Sequence, residues 1–108
     1  MNELTAEKIR ELAADVNNIV MSSHATMRCI KRIIDSNDIL SVLRNGEIIE
    51  FYPKDYPFPS CLELGLSLAG KPLHVCCAIG EGKLWVITAY YPTAEIWEND
   101  MKTRKAVK

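Results

Sequence analysis

The spacing of apolar residues changes at Gly46, and this change constrains the fold more than any other feature of the chain. Before Gly46 apolar residues recur at intervals of three and four, as in amphipathic helices, whereas after it they tend to alternate with polar residues, as in strands. With 108 residues the chain is long enough for one hydrophobic core. The sequence therefore predicts a single α+β domain over residues 1–108, with two or three N-terminal helices packed on one face of a four-stranded antiparallel sheet.

The helices are predicted from periodicity and from capping residues. A first helix covers residues 5–17 with Thr5 as its N-cap, and a second begins at Ser22 or Ser23 and continues to about residue 35. Residues 36–38 offer caps for a third, short helix. That helix is expected to end at Gly46, because glycine adopts the left-handed conformation that terminates helices.

The strand registers are predicted from the turns that join them. Four strands are expected. The first covers residues 47–52, the second residues 61–69, the third follows a two-residue turn at 70–71, and the fourth covers residues 84–91.

The two-residue turn at 70–71 would place Ser67 opposite His74. A three-residue loop at 80–82 would leave Thr88 and Tyr90 beside His74, whereas a two-residue turn would reverse these positions. We favour the longer loop because it collects the polar groups on one face.

A basic stripe is predicted on the second helix. At about 100° per residue, one arc carries cationic or titratable side chains and the opposite arc carries apolar ones. The first arc holds His24, Arg28, Lys31 and Arg32, and the second, expected to enter the core, holds Met27, Ile30, Ile33 and Ile34. Arginine donors and a titratable imidazole suit a phosphate-bearing partner, and the alternative is a solvated polar face.

Charge and cysteine usage exclude several broad classes. The 13 basic and 14 acidic residues give a net charge of -1, so nucleic-acid binding has to come from local patches such as the second helix or the tail with Lys102, Arg104, Lys105 and Lys108. The four cysteines show no metal-binding spacing and are expected to be reduced and mostly buried. With neither a signal peptide nor a membrane span recognised, we expect a cytoplasmic protein without metal or cofactor.

Several motifs, in order along the chain, resemble one bacterial family. They are His24 with Arg28 and Arg32, residues 46–50 with Tyr52, residues 56–60, residues 72–75, residues 87–90, and Trp97 with Arg104 and Lys105. The family consists of small uncharacterised proteins that are often encoded beside YgiT-type zinc-finger antitoxins, and it is similar in predicted fold to the RelE/ParE toxins. The resemblance implies a type II toxin-like protein that acts as an mRNA endonuclease, with a DNA-binding zinc-finger antitoxin as its partner.

Metal-independent RNA cleavage needs a base, an acid and cations that stabilise negative charge on the phosphate. Our hypothesis makes His74 a base or acid on an open sheet face, with the other catalytic candidates being His24, Arg28 and Tyr90. The substrate-binding candidates are Lys31, Arg32, Tyr52, Ser67, Thr88 and Arg104. The alternatives are a structural role for His74 and, for the whole protein, a non-catalytic module that docks a partner protein.

Overall fold

The change of period at Gly46 separates the helices from four of the five strands. The structure is a computed structural model that describes residues 4–106, so Lys108 of the predicted basic tail lies outside the described residues. The helices are α1 (Ala6–Ala13), α2 (Ser23–Lys31) and α3 (Ser36–Asn45), and the strands are β1 (Ile19–Met21), β2 (Glu47–Tyr52), β3 (Ser60–Leu66), β4 (Pro72–Gly80) and β5 (Lys83–Tyr90). The predicted α+β class is confirmed.

The sheet has five strands rather than four, in the order β1-β5-β4-β3-β2. Strands β2 to β5 pair antiparallel, whereas β1 pairs parallel with β5, with Ile19 beside Leu84. The prediction of a purely antiparallel sheet is therefore wrong at this edge. A three-residue strand is too short to show a period of two, and its residues continued the helical spacing of the first helix, which ends at Ala13 instead of residue 17.

The predicted N-caps fix the starts of the helices. The Thr5 hydroxyl accepts from the backbone N–H of Lys8, and the Ser22 hydroxyl accepts from that of Ala25, each at 3.1 Å. Helix α3 begins one residue earlier than predicted, because Asp35 is its N-cap and forms a reciprocal capping box with Asp38.

Gly46 ends α3 for a different reason from the predicted one. Its backbone is extended, with φ -81 and ψ 177, rather than left-handed. A Cβ atom at this position would lie 2.6 Å from the Val42 carbonyl oxygen and 2.8 Å from that of Leu64. Glycine is thus required because the end of α3 and strand β3 approach each other closely.

The buried face of α2 differs from the predicted one. Ala25 and Cys29 face the core, whereas Met27, Ile30 and Ile33 are 54%, 63% and 86% exposed. Of the predicted apolar arc only Ile34, which lies after the helix, is buried. The small side chains of Ala25 and Cys29 let α2 lie close to β5, and this packing decides which arc turns inward.

The register between β3 and β4 corrects the predicted position of Ser67. Leu64 lies opposite His74, and Gly65 lies opposite Leu73. Ser67 instead belongs to the turn after β3, where its hydroxyl accepts from the backbone N–H of Lys71 at 3.1 Å. The wider turn shifts the register of the whole pair relative to a two-residue hairpin.

The register between β4 and β5 combines the shorter turn with a bulge. Gly80 pairs with Lys83, so the turn has two residues rather than the predicted three. The register then shifts between Cys76 and Cys77, with Ile87 as the extra residue in β5. Because the bulge adds the residue that the turn lacks, Tyr90 and Thr88 share the face of His74, as predicted. Tyr90 lies directly opposite His74, and Thr88 lies opposite Cys76.

The two faces of the sheet have different covers. All three helices pack on one face, and the main hydrophobic core lies between them and the sheet. The other face, here called the outer face, is partly covered by the segment 97–104, in which Trp97 forms a β-bridge with Arg104. Trp97 is 2% exposed and packs with Leu62 and Cys76 in a second, smaller core.

Two further observations bear on the predictions from composition. The four cysteines, Cys29, Cys61, Cys76 and Cys77, are buried, as predicted, and are free thiols. Among residues 4–106, no helix has the length and apolar composition that a membrane crossing requires.

Candidate functional site

Five polar or titratable side chains form a cluster on the outer face, where β2, β4 and β5 meet the segment 97–104. This outer-face cluster consists of Glu50, Tyr52, His74, Tyr90 and Arg104. Residues two apart on a strand share a face, which brings Glu50 and Tyr52 together on β2. Pairing of β4 with β5 brings His74 and Tyr90 together.

Three of the five side chains, those of Glu50, Tyr52 and Arg104, are joined through the carboxylate of Glu50. Arg104 donates to both of its oxygens, from Nε at 2.8 Å and from Nη2 at 3.1 Å. The Tyr52 hydroxyl donates to Oε1 at 2.5 Å. The guanidinium of Arg104 also lies over the ring of Trp97, 4.6 Å from its centroid, and this contact fixes the position of the arginine.

Hydrogen bonds and burial set the charge states of these three groups. The hydrogen bonds from Arg104 hold the pKa of Glu50 below its usual range, so the carboxylate is ionised at neutral pH. Burial and the hydrogen bond to Glu50 raise the pKa of Tyr52, so its phenol is neutral. The side chain of Glu50 is 22% exposed, which leaves part of an ionised carboxylate open to solvent.

His74 is completely buried, contrary to the prediction of an open sheet face. Its Nε2 lies 2.6 Å from the carbonyl oxygen of Met101, and since a carbonyl can only accept, Nε2 carries the proton. Nδ1 then accepts from the Tyr90 hydroxyl at 3.2 Å. Trp97 and Tyr90 each contact the imidazole edge to face, with ring centroids 4.5 Å and 5.2 Å away.

Burial also decides the protonation of His74. It lowers the pKa of the imidazole, against the opposing effect of the hydrogen bond to Met101, so the ring is neutral at neutral pH. Both ring nitrogens are already bonded within the protein. The segment 97–104 covers His74 and removes it from solvent. The residue pattern of the strands does not predict this cover.

Arg32 approaches the outer-face cluster from the edge of the sheet. Its Nη1 donates to the carbonyl oxygen of Ala89 at 2.8 Å and to the Thr88 hydroxyl at 3.1 Å. The positive charges of Arg32 and Arg104 both act on the Tyr90 hydroxyl, whose pKa is nevertheless raised by burial. Thus Arg32, Thr88 and Tyr90, three of the predicted site residues, lie together.

Other predicted site residues lie elsewhere. Ser67 is in the turn after β3, so its predicted place beside His74 is wrong. His24, Arg28 and Lys31 are exposed on α2, and within residues 4–106 their side chains take part in no hydrogen bond or ion pair. The predicted stripe is therefore divided, because Arg32 bends toward β5 and the other three side chains face solvent.

Glu50 was not among the predicted site residues, although it lies in the motif at residues 46–50. The signal that could have found it is its position two residues before Tyr52 on one strand face, with a basic residue available in the tail. Within residues 4–106, histidine, cysteine and carboxylate side chains form no group of three or more that could hold a metal. The carboxylate of Glu63 lies on the opposite, helix-covered face, away from that of Glu50.

Comparison with known protein families gives one match. Residues 21–91 match the family described as Domain of unknown function (DUF4258). The match includes α2, α3 and strands β2 to β5, and it ends before Trp97 and Arg104. No curated protein and no solved structure matches the chain.

Proposed function

Because the chain belongs to the DUF4258 family, whose function is unknown, its activity has to be inferred from its own site, and we propose that it is a metal-independent endoribonuclease of the toxin type. RNA is the proposed substrate, and the outer-face cluster is the proposed active site. Residues 21–91, matched by the family, contain four of the five cluster residues. Arg104 comes from the segment that follows.

One observation carries the proposal. The partly exposed, ionised carboxylate of Glu50 is paired with the guanidinium of Arg104, and a second guanidinium, that of Arg32, is bonded to Thr88 and Ala89 of β5. Arg104 uses Nε and Nη2 for Glu50, and Arg32 uses Nη1 for β5, so each retains N–H groups that can bind phosphate oxygens. A base paired with one cation, with a second cation held at β5, supplies the proton acceptor and the positive charge that attack on a phosphodiester requires.

In the proposed reaction, the 2′-hydroxyl oxygen of the RNA attacks the adjacent phosphorus. Glu50 takes the proton of the 2′-hydroxyl as the new oxygen–phosphorus bond forms, and the bond from phosphorus to the 5′-oxygen breaks. The proton then passes from Glu50 to the leaving 5′-oxygen, directly or through water. The products are a 2′,3′-cyclic phosphate and a 5′-hydroxyl, and the base is Glu50 in place of the buried His74.

The test is incubation of the purified protein with RNA in excess chelator, followed by analysis of the product ends. We expect cleavage that leaves 2′,3′-cyclic phosphates. Glu50→Gln should lower the rate by about 100-fold or more, because removal of a general base has effects of about 10²–10⁴. Arg104→Lys should also lower it, because lysine cannot reproduce the two-point contact.

Glu47→Gln is the matched control for Glu50→Gln. Glu47 lies on the same strand and also pairs with the tail, through Lys102 at 3.1 Å, but it is outside the cluster. Its replacement should leave cleavage unchanged. Folded wild-type protein that does not cleave RNA, or equal loss from the two glutamine variants, would contradict the proposal.

A second candidate function is a module that docks a partner protein, such as a zinc-finger antitoxin. The observation that favours it is an exposed apolar patch, formed by Met27 and Ile30 of α2 and by Ile33 just after it, and flanked by Arg28 and Lys31. If this function is right, Ile30→Glu should abolish the binding of a zinc-finger antitoxin in a pull-down experiment. Glu50→Gln should leave that binding unchanged.

A further inference from the structure

An aromatic cavity lies on the outer face beyond the proposed active site. It has a volume of about 580 Å³, within the range of small-molecule sites. Its aromatic walls are Tyr56 and Phe58 from the loop 53–59 and Trp85 from β5. The Trp85 indole donates to the Gly80 carbonyl at 2.9 Å, and its ring lies 6.0 Å from that of Phe58, so this wall is fixed in position.

The charged groups of the cavity are hydrogen-bond acceptors. Two carboxylates line it, those of Asp55 and Glu81, beside the hydroxyls of Ser22 and Tyr56, and no lysine or arginine among residues 4–106 does. Asp55 is held in place because it accepts from the Ser60 hydroxyl. Aromatic walls with carboxylate acceptors complement a flat ring that carries adjacent N–H donors, and they disfavour a phosphate in the cavity itself.

We propose that this cavity binds a guanine base of the RNA substrate, an inference that rests on the proposed function. Guanine presents the N1–H and the 2-amino group on one edge, where a single carboxylate can accept from both. Its ring can stack on Tyr56 or Trp85, and stacking on aromatic side chains is a general mode of base recognition. The assignment gives the nuclease a preferred base.

The cavity and the proposed active site lie along the same strands. Ala78, which lines the cavity, lies opposite Trp85, while His74 lies opposite Tyr90 on the same face. The four-residue separation on β4 corresponds to roughly 13 Å. An RNA chain on the outer face could therefore place one base in the cavity and a phosphate beside Arg32 or Arg104.

The test is titration of the full chain with guanosine, inosine, adenosine and uridine, followed by the indole N–H signals in NMR spectra. The chain has two tryptophans, and Trp97 is buried away from the cavity, so binding should move only the signal of Trp85. We expect guanosine to bind most tightly. Inosine lacks the 2-amino group and should bind more weakly.

Variants sharpen the test. Tyr56 is 94% exposed, so Tyr56→Ala should not disturb the fold, and it should weaken guanosine binding by about fivefold or more, the effect of one lost stacking contact. Asp55→Asn should remove the preference for guanosine over inosine. Phe51→Ala, which removes an aromatic ring that is also exposed but lies outside the cavity, should change nothing.

The inference is overturned if no nucleoside shifts the Trp85 signal, or if Tyr56→Ala leaves the affinity for guanosine unchanged. It is also overturned if an arginine amide binds here and guanosine does not, because the cavity would then be a site for organic cations. Guanosine binding without RNA cleavage would refute only the proposed nuclease function. Cleavage that depends on Glu50 without guanosine binding would refute only the base site.

Discussion

His74 and Glu63 are both completely buried, on neighbouring strands and opposite faces of one sheet, yet their surroundings are opposite in kind. On the outer face, His74 has a hydrogen-bond partner for each ring nitrogen. On the helix-covered face, neither oxygen of Glu63 has a partner among the described residues. The segment 97–104 thus gives the polar groups of the outer face their hydrogen-bond partners, while the opposite core holds a carboxyl group that burial keeps neutral.

The first prediction concerns the satisfied group. His74→Ala should lower the free energy of unfolding by about 3 kcal/mol, because it leaves a cavity beneath Trp97 and removes two hydrogen bonds. Urea denaturation measures the change. His24→Ala, at an exposed histidine, is the control and should have an effect within about 0.5 kcal/mol. Equal effects of the two replacements would mean that the contacts of His74 add nothing to stability.

The second prediction concerns the unsatisfied group. Glu63→Met, a replacement of similar size, should raise the free energy of unfolding at pH 7 by about 2 kcal/mol, because it removes the cost of burying an unpaired carboxyl group. The same denaturation experiment applies. A less stable variant would show that Glu63 has a favourable partner in solution.

The third prediction uses pH to separate the two groups. Burial raises the pKa of Glu63 to about 8, against the lowering effect of Arg10, from an ordinary value of 4.5. The folded state then holds a proton that the unfolded chain releases. The contribution of Glu63 to the free energy of unfolding is therefore fully present below pH 4.5 and is lost as the pH rises to about 8. The loss is up to about 1.4 kcal/mol per pH unit.

The pKa of His74 is lowered, so its contribution has the opposite sign: it is present above the ordinary pKa of 6.5 and is lost as the pH falls below it. Of these two groups, only Glu63 should therefore lower the free energy of unfolding of the wild type between pH 6.5 and 8. Denaturation at several pH values checks this, with Glu63→Met expected to flatten the decline. An unchanged slope in that variant would mean that the carboxyl ionises without cost.

The smallest expected effect concerns the link between His74 and Tyr90. Tyr90→Phe should lower the free energy of unfolding by about 1 kcal/mol, because Nδ1 of His74 loses its only donor among the described residues. Thermal denaturation measures this change. If Tyr90→Phe is as stable as the wild type, water replaces the hydroxyl, and His74 is less completely enclosed than its burial indicates.

The fold was more predictable than the site. Thr5 and Ser22 act as N-caps, and β2 has its predicted bounds, because these features depend on residues adjacent in sequence. The face of α2 that enters the core was not predictable. Ala25 and Cys29 lie outside the predicted apolar arc, and their burial depends on how closely the helix approaches β5.

The site was predictable only in part. The placement of Tyr90 on the same face as His74 was predicted correctly, although two errors compensated, since the turn was shorter than predicted and the bulge was missed. Glu50 was overlooked as a site residue because its partner, Arg104, is 54 residues away in sequence. Periodicity contains no information about such a distant contact.

The sequence by itself determined the α+β class, the caps and the strands that follow Gly46, because hydrophobic spacing and capping act over a few residues. Tertiary structure alone decided that β1 joins the sheet, that Arg32 turns to β5, and that the segment 97–104 covers His74. These features depend on contacts between distant segments. Whether an imidazole is exposed or buried is fixed by what packs on its strand, and the strand's own residues do not specify that cover.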